Sequence, residues 1–264
     1  IREFKENTGP ARGVSVSLRG FRDRYDLQDE IQFADYSTRE LQDRLTPAQV
    51  LDILVEGNKR FYSGRRISRD LGRQIDATAG GQGPLAAVLS CTDSRVPIEQ
   101  IFDLGIGDIF GIRVAGNVIG TKSLASIEYA VTVDGAKLVV VMGHTHCGPV
   151  AWALKLLDEK NSVEQARGCP HLLAITTEIQ ESVNADEYRD IATMPPETLD
   201  SCVDRIARKN VERTVREIVH RSYAIRSAVD AGDLLVVGAM YDVSTGGIAF
   251  LADDSLLGLR FCKM

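Results

Sequence analysis

Two cysteines and one histidine in this chain have the types and positions of ligands for a single metal ion. Cys91 follows the apolar run 85–89, and His144 and Cys147 follow the apolar run 138–142. Short apolar runs of this kind predict buried strands, and open α/β sheets build their sites at the carboxyl ends of their strands. Because zinc prefers thiolate and imidazole ligands, the pattern predicts a zinc site made of Cys91, His144 and Cys147, with one position left open for catalysis.

Other thiol and metal chemistries fit the spacing less well. A zinc ribbon would need paired C-x-x-C knuckles, which the sequence lacks. A phosphatase-like loop would need a longer spacing between its cysteine and arginine than the one between Cys91 and Arg95. We interpret the remaining cysteines as incidental thiols: Cys169, Cys202 and Cys262.

Asp93 and Arg95 are predicted to form an ion pair beside this site. Alternate residues in a turn after a strand can point the same way, so the carboxylate and the guanidinium are positioned for a bidentate contact. A surface ion pair would stabilise little, and the position two residues after Cys91 favours a functional role. Arg95 would hold Asp93 ionised next to the open zinc position. There the carboxylate would either accept a hydrogen bond from bound hydroxide or bind the metal itself.

The order of the apolar runs predicts an α/β fold with a central, mainly parallel β-sheet flanked by helices. Thr46 before Pro47 predicts a helix start. The predicted strands are 85–90, 108–114, 137–142 and 233–239, with Ile248–Leu251 returning as an added antiparallel strand. The predicted helices are 47–61, 121–134, 148–159, 170–184 and 200–230.

The chain divides into two predicted parts. Residues 1–46 have little apolar periodicity and form an N-terminal helical arm or linker, either solvated or docked on another chain or domain. Residues 47–264 form the catalytic domain. The chain starts at Ile1 rather than at a methionine, so we expect that it is processed or belongs to a longer protein.

Composition narrows the function classes. With 264 residues, of which 44% are hydrophobic and 26% charged, the chain suits one globular domain with or without an extension. A net charge of −6 argues against general nucleic-acid binding. Five scattered cysteines indicate a reducing compartment rather than a secreted disulfide framework, and we predict a cytoplasmic location.

The sequence resembles the β-class carbonic anhydrases over about residues 47–251. The resemblance rests on motifs in the family's order and spacing: C-x-D-S-R (Cys91 to Arg95), Gly107-Asp108, R-x-A-G-N (Arg113 to Asn117), Ile127 to Ala130, G-H-x-x-C-G (Gly143 to Gly148), Asn210-Val211 and Tyr241 to Gly246. It implies the family's fold and the reversible hydration of CO2 to bicarbonate. It also implies zinc held by Cys91, His144 and Cys147, with zinc-bound hydroxide attacking CO2.

The resemblance extends to the plant-like, open-site subgroup. Gln82 lies nine residues before Cys91, where that subgroup has a glutamine that hydrogen-bonds substrate across a subunit interface. Phe110 and Tyr129 would line the substrate pocket. The bicarbonate-inhibited subgroup uses a tryptophan elsewhere, and Trp152 does not match its position. We therefore predict an open, water-bound zinc near neutral pH.

Three alternatives stay open. The same fold could hydrolyse carbonyl sulfide or carbon disulfide. The domain could instead serve as a zinc-binding regulatory or interaction module of a larger protein. Residues 1–46 also resemble cases in which such an enzyme is the cytoplasmic domain of a SulP-type anion transporter. Family members are oligomers, so the resemblance implies a homodimer or a multiple of dimers.

Overall fold

The sheet at the centre of the molecule has five strands within the residues that the computed structural model describes, which are 37–157, 169–194 and 196–251. The strands are β1 (Ala86–Ser90), β2 (Ile109–Arg113), β3 (Leu138–His144), β4 (Leu235–Tyr241) and β5 (Ile248–Leu251). Their order across the sheet is β2-β1-β3-β4-β5. The first four are parallel, and β5 is antiparallel to β4. The mainly parallel sheet and its antiparallel fifth strand are therefore confirmed.

Helices connect the strands and cover both faces of the sheet. They are α1 (Arg39–Arg44), α2 (Pro47–Tyr62), α3 (Leu71–Thr78), α4 (Ile98–Ile101), α5 (Thr121–Thr132), α6 (Gly148–Lys155), α7 (Leu172–Gln180), α8 (Ala185–Thr193), α9 (Pro196–Arg221) and α10 (Tyr223–Ala231), with a 3-10 turn at Ala115–Asn117. None of the helices in the described part of the chain combines the length and the hydropathy that a bilayer crossing requires.

The alternation of side chains in β1 divides the core between the two faces. Val88 packs with apolar residues of α2 and α4 on one face. Ala87 and Leu89 pack with α5, α9 and α10 on the other. Every residue of β1 and of β3 is buried, as expected for central strands of a parallel sheet covered on both sides. The carboxyl ends of these strands are therefore held at fixed positions next to each other.

The beginning of α2 follows the sequence closely. The Thr46 side chain accepts a hydrogen bond from the Gln49 backbone, and the Gln49 side chain accepts one from the Thr46 backbone. This capping box satisfies two backbone N–H groups that a helix start leaves unpaired. Pro47 occupies the first turn, where a missing N–H costs nothing. The predicted start of this helix is confirmed.

The prediction of one helix over 200–230 is wrong. The structure has two helices there, α9 and α10, and Ser222 separates them. The Ser222 hydroxyl accepts a hydrogen bond from the Ile225 backbone and so begins a second helix. Beyond α10 the chain enters β4 two residues later than predicted, because the backbone N–H groups of Asp233 and Leu234 still bond to Ala228 at the helix end.

Shorter helices escaped the sequence pattern. α3 and α4 were not predicted, whereas α1 lies within the predicted helical arm at 1–46, and the segment 170–184 contains only α7, after which α8 begins at an Asn184 capping box. Helix α6 ends at Lys155, short of the predicted residue 159. Most of these helices have eight residues or fewer, too few for a 3.6-residue apolar repeat to become visible.

The last residues of the predicted arm pack against the amino end of the sheet. The Ser37 backbone donates to Asp108 Oδ1 at 2.6 Å. The buried Gln42 side chain donates to the Pro84 and Asp134 carbonyls. Residues 1–36 lie outside the described residues, as does Cys262. The domain boundary at residue 46 stays a prediction.

Candidate metal centre

The three predicted ligands meet at the carboxyl ends of β1 and β3. Cys91 directly follows β1, His144 is the last residue of β3, and Cys147 precedes α6. The two strands are adjacent and parallel, with Ser90 beside Met142. The two Sγ atoms and a ring nitrogen of His144 all lie within 4.8 Å of one another. The three side chains are buried. Parallel pairing thus brings together residues that are 53 positions apart in the sequence.

The donor set fits a tetrahedral zinc ion. His144 Nδ1 lies 2.9 Å from the Thr145 carbonyl oxygen, so this nitrogen carries the proton and Nε2 carries the lone pair. Nε2 is buried and has no hydrogen-bond partner among the residues that the structure describes. Zinc bonds of about 2.0 to 2.3 Å place tetrahedral ligand atoms about 3.5 to 4 Å apart, close to the observed cluster. A carbonyl behind the ring is also the usual way that proteins orient a metal-binding histidine.

The two thiols lie in contact with each other and therefore differ in acidity. The approach of Cys147 lowers the pKa of Cys91 despite its burial, and the Gly116 N–H, 3.3 Å from Cys91 Sγ, acts in the same direction. The approach of Cys91, together with burial, raises the pKa of Cys147. Burial, the largest single effect, would lower the pKa of His144, but the approach of Cys91, together with the Thr145 carbonyl and the Asp93 charge, raises it on balance. Cys91 is thus the more acidic of the two thiols.

Asp93 and Arg95 form the predicted bidentate pair. Arg95 Nε donates to Asp93 Oδ1 at 2.9 Å, and Arg95 Nη2 donates to Oδ2 at 2.8 Å. The hydrogen bonds from Arg95 lower the pKa of Asp93 to about 2, so the carboxylate is ionised near neutral pH. Asp93 Oδ2 lies 3.9 Å from His144 Nε2. A charged acceptor therefore stands beside the cluster, held by the guanidinium.

Arg113 holds the turn that contains Cys91 and Asp93. It is the last residue of β2 and lies beside Ser90 in the parallel register. Its Nε donates to the Cys91 carbonyl at 3.2 Å, and its Nη2 donates to the Asp93 carbonyl at 2.6 Å. The sequence marked Arg113 only as part of a motif. The signal that would have found this role is its place at the end of a strand adjacent to β1.

The turn between His144 and Cys147 is held from three sides. His146 has a φ of 54°, which a non-glycine residue adopts at a cost. Its N–H donates to Asp204 Oδ1 of α9 at 2.7 Å, and its carbonyl accepts from Arg95 Nη2 at 3.2 Å. The Thr145 hydroxyl accepts from the Val243 backbone. Sequence reasoning missed Asp204, because its contact depends on how α9 crosses the sheet.

Gln82 lies at the opposite end of the sheet from the ligand cluster. It precedes β1, and its Nε2 donates to Asp134 Oδ2 at 3.1 Å, before the start of β3. The five residues of β1 separate it from Cys91 by about 16 Å at about 3.3 Å per residue. The structure therefore does not bring Gln82 to the metal ligands of its own chain.

Phe110 on β2 and Tyr129 on α5 are in contact with each other. Their rings contact edge to face, with centroids 6.2 Å apart and planes at 84°. Tyr129 on α5 is 50% exposed, and Val133 just after α5 is 58% exposed. Among the described residues, β2 is the outermost strand on this side of the sheet. Exposed apolar side chains thus lie on or just after the helix that contacts this outermost strand.

Comparison with known proteins decides the family. The carbonic anhydrase family model matches residues 86–248, a range that includes all three ligands of the cluster. The chain belongs to the carbonic anhydrase family. Carbonic anhydrase 2 of Mycobacterium tuberculosis is 35% identical over 203 residues, which cover 76% of this chain and 90% of that protein. The carbonic anhydrase of Mycolicibacterium smegmatis is also 35% identical, over 76% of this chain and 92% of its own length.

Solved structures identify the class within the carbonic anhydrases. The β-carbonic anhydrase CafA of Aspergillus fumigatus has a TM-score of 0.59 and 28% identity, covering 71% of this chain and 86% of its own. A tetrameric β-carbonic anhydrase of Sordaria macrospora has a TM-score of 0.57 and 28% identity, covering 69% and 91%. The chain is therefore a β-class member, as its motifs indicated.

Proposed function

We propose that this chain is a zinc-dependent carbonic anhydrase that interconverts CO2 and bicarbonate. The observation that carries the proposal is the buried cluster of Cys91, His144 and Cys147, with His144 Nε2 left without a partner. A buried polar nitrogen is normally paired, and a metal ion would satisfy it. Membership in the family supports CO2 as the substrate.

In this proposal Cys91, His144 and Cys147 hold zinc through two thiolates and one imidazole. Bound there, zinc supplies a water acidified enough to act as the nucleophile toward CO2. The two thiolates cancel the formal charge of the ion, whereas three neutral imidazoles would leave it at plus two. We therefore expect a less acidic water than in a histidine-only site, and an activity that rises with pH.

Asp93 would act as the hydrogen-bond acceptor beside the reacting oxygen. Both of its oxygens already accept from Arg95, and a carboxylate keeps further lone pairs free. Those bonds also hold the carboxylate against Arg95, which disfavours its moving onto the metal. Arg113 fixes the same turn through the Asp93 carbonyl. These contacts support the open form of the site, in which Asp93 orients the nucleophile rather than replacing it.

A second copy of the chain would complete the substrate pocket. Gln82 is a strand length away from the ligands of its own chain, so it can serve a metal site only in another subunit. Phe110 and Tyr129 would line that pocket, next to the open edge of β2. The exposed Tyr129 and Val133 side chains support contact with a second copy there. We therefore propose a homodimer or a multiple of dimers.

The second candidate function is the hydrolysis of carbonyl sulfide or carbon disulfide, and its only support is that the same fold could serve that reaction. The relatives that match this chain over most of their length are named carbonic anhydrases, and no contact in the site favours a sulfur substrate. A carbonyl sulfide assay beside the CO2 assay separates the two activities. Fusion to an anion transporter, the cytoplasmic location and the role of residues 1–46 stay predictions.

The test is zinc content together with CO2 hydration for the wild type and for Cys147→Ser. We expect the wild type to bind zinc in equimolar amount and to hydrate CO2. We expect Cys147→Ser to lose most of both, because a hydroxyl is a poor zinc ligand. Cys202→Ser is the matched control, since Cys202 is also buried but lies outside the cluster. A wild type without zinc, or an active Cys147→Ser enzyme, would contradict the proposal.

A further inference from the structure

The Gly116 amide contacts the Cys91 sulfur of the proposed metal cluster. Gly116 lies in the 3-10 turn after β2, and its N–H donates to Cys91 Sγ at 3.3 Å. Its φ of 67° and ψ of 15° are left-handed values that favour glycine. A Cβ at this position would lie 2.6 Å from Ile179 Cδ1. The turn is therefore built so that one backbone amide reaches the sulfur.

The Asn210 side chain holds Gly116 in place through a hydrogen bond to the Gly116 carbonyl. It lies on α9 and is 0% exposed. Its Nδ2 donates to the Gly116 carbonyl at 2.8 Å, across 94 positions of the sequence, and its Oδ1 accepts from Ser182 Oγ at 3.4 Å. A buried amide costs free energy unless it is hydrogen-bonded, so these two bonds give the side chain one preferred orientation. The result is a continuous path from α9 through Asn210 and Gly116 to Cys91 Sγ.

We infer that Asn210 is a positioning residue for the metal centre. Its side chain holds the Gly116 N–H on the Cys91 sulfur and so sets how strongly that thiolate donates electrons to the metal. The inference rests on the proposed zinc site. Groups that contact a ligand from outside orient it and tune the metal it binds. An N–H that donates to a thiolate stabilises its lone pairs, which makes the sulfur a weaker electron donor. Asn210 acts on this bond through Gly116 and touches no substrate.

A purely structural role for Asn210 makes a different prediction. If Asn210 only satisfied the buried Gly116 carbonyl, its loss would lower stability and leave the electronic properties of the site unchanged. If it positions the amide, its loss changes the thiolate as well. The readout must therefore report on the sulfur itself, not only on folding or on turnover.

The test uses Asn210→Leu, which keeps the approximate volume and removes the donor, and Asn210→Ser, whose hydroxyl is too short to take over the bond. Val215→Ala is the control, because Val215 is buried five residues further along α9 and packs in a different apolar cluster from Cys91 and Cys147. Each protein is loaded with Co2+, and the thiolate-to-cobalt charge-transfer absorption is recorded. Zinc affinity is measured in parallel by competition with a chromophoric chelator.

We expect the charge-transfer band of both Asn210 variants to shift to longer wavelength, because a thiolate without its N–H partner gives up electrons more easily. We expect their zinc dissociation constants to rise about 10- to 100-fold, the usual cost of losing an outer partner of a metal ligand, because Cys91 Sγ is no longer held in place for the metal and this loss outweighs the stronger donation by the sulfur. Val215→Ala should keep the wild-type band and zinc affinity while losing stability.

Unchanged bands and affinities in the folded Asn210 variants would overturn the inference, and so would an equal change in Val215→Ala. Should neither Asn210 variant fold, the wild type loaded with a spin-active cadmium isotope still decides the contact. Scalar coupling between the metal and the Gly116 amide proton supports the inference, and its absence overturns it. A wild type that binds neither Co2+ nor zinc would instead refute the proposed metal centre, so the two failures are distinguishable.

Discussion

Asp93 is the residue whose surroundings say most about how the site works. Its carboxylate is ionised, it is held by two hydrogen bonds from one guanidinium, and it stands 3.9 Å from the free nitrogen of His144. This arrangement would contribute little to the stability of the fold, because an isolated ion pair near the surface contributes about 0 to 1 kcal/mol. The position of Asp93 therefore supports the proposed role as a hydrogen-bond acceptor beside the nucleophile.

Asp93→Asn should lower kcat/KM for CO2 hydration by about 10- to 100-fold, the usual effect of changing an outer partner of a metal site. The amide cannot accept both hydrogen bonds from Arg95, so the acceptor beside the nucleophile loses its charge and its orientation. Zinc content should stay equimolar, because Asp93 is not expected to be a ligand. Asp76→Asn on the exposed side of α3 is the control. Wild-type turnover in Asp93→Asn would contradict the assigned role.

Arg95→Gln should change how stability depends on acid. In the wild type the pKa of Asp93 is about 2, below the value of about 3.9 for an unfolded chain. The folded state thus binds fewer protons, and the pair stabilises it above about pH 4, with the contribution lost as pH falls toward about 2. We expect the difference in unfolding free energy between wild type and Arg95→Gln to shrink over that range. Urea unfolding of the metal-free proteins measures it, and a constant difference would refute the prediction.

How much of the site could be predicted depends on which contacts are local in sequence. Asp93 and Arg95 are two positions apart, so their pairing could be predicted from spacing and residue type. The three proposed ligands follow strands that are recognisable in the sequence as apolar runs, so the cluster could be predicted as well. Arg113, Asp204 and Asn210 contact the site only because strands and helices pack in one particular way. Arg113 and Asn210 belong to motifs of the family resemblance, but those motifs do not assign them these contacts, and Asp204 belongs to no motif.

At the scale of elements, the close approach of α2 and α4 fixes the segment that leads away from the metal ligands. Gly57 on α2 lies so near the end of α4 that a Cβ would come within 1.9 Å of the Phe102 carbonyl oxygen. α4 itself starts three residues after Arg95. The tight helix contact therefore supports the same turn that carries Cys91 and Asp93.

Gly57→Ala should destabilise the protein by about 1 to 3 kcal/mol, the usual cost of forcing an extra group into a packed core. The clash is with backbone, which cannot rotate away, and it outweighs the better helix propensity of alanine. Gly80→Ala is the matched control, because its Cβ would meet nothing within 4 Å. Denaturant unfolding measures both. Equal stability of the two variants would contradict this account of the contact.

Some helices and strands could likewise be predicted from the sequence, whereas others depend on how the chain packs. The central strands were predicted because both faces are covered, which makes them continuous apolar runs, and α2 was predicted because Thr46 and Pro47 mark its start. The break at Ser222 was missed, since the apolar repeat continues across it and only the hydroxyl's bond to Ile225 reveals the new helix. Short helices such as α3 and α4 are held by their neighbours and leave a weak periodic signal.

At the scale of the whole molecule, the distance between Gln82 and the ligands makes the proposed assembly testable. Gln82→Ala should lower activity, and so should Cys147→Ser, each as a homodimer. In a mixed dimer of these two chains, the intact zinc site of the first chain meets the partner's Gln82, which is unchanged. Activity should therefore return to about half of the wild-type value per dimer. Coexpression with two affinity tags isolates the mixed dimer.

Two controls complete this complementation. A mixed dimer of wild type and Cys147→Ser should show the same activity, because it too has one complete site. Wild-type activity in the Gln82→Ala homodimer would refute any role for Gln82. Failure of the mixed dimer to exceed the Gln82→Ala homodimer would show that Gln82 does not act across the subunit boundary.

The burial of all three ligands has a consequence for how the enzyme matures. Cys91 and His144 become neighbours only when β1 and β3 have paired, so a growing chain has no complete site until long after Cys91 has been synthesised. Once the fold has closed, Cys91, His144 and Cys147 are at most 1% exposed, and an ion can leave only when a surrounding turn opens. Metal capture should thus be a late event and metal exchange a slow one, governed by local opening rather than by affinity alone.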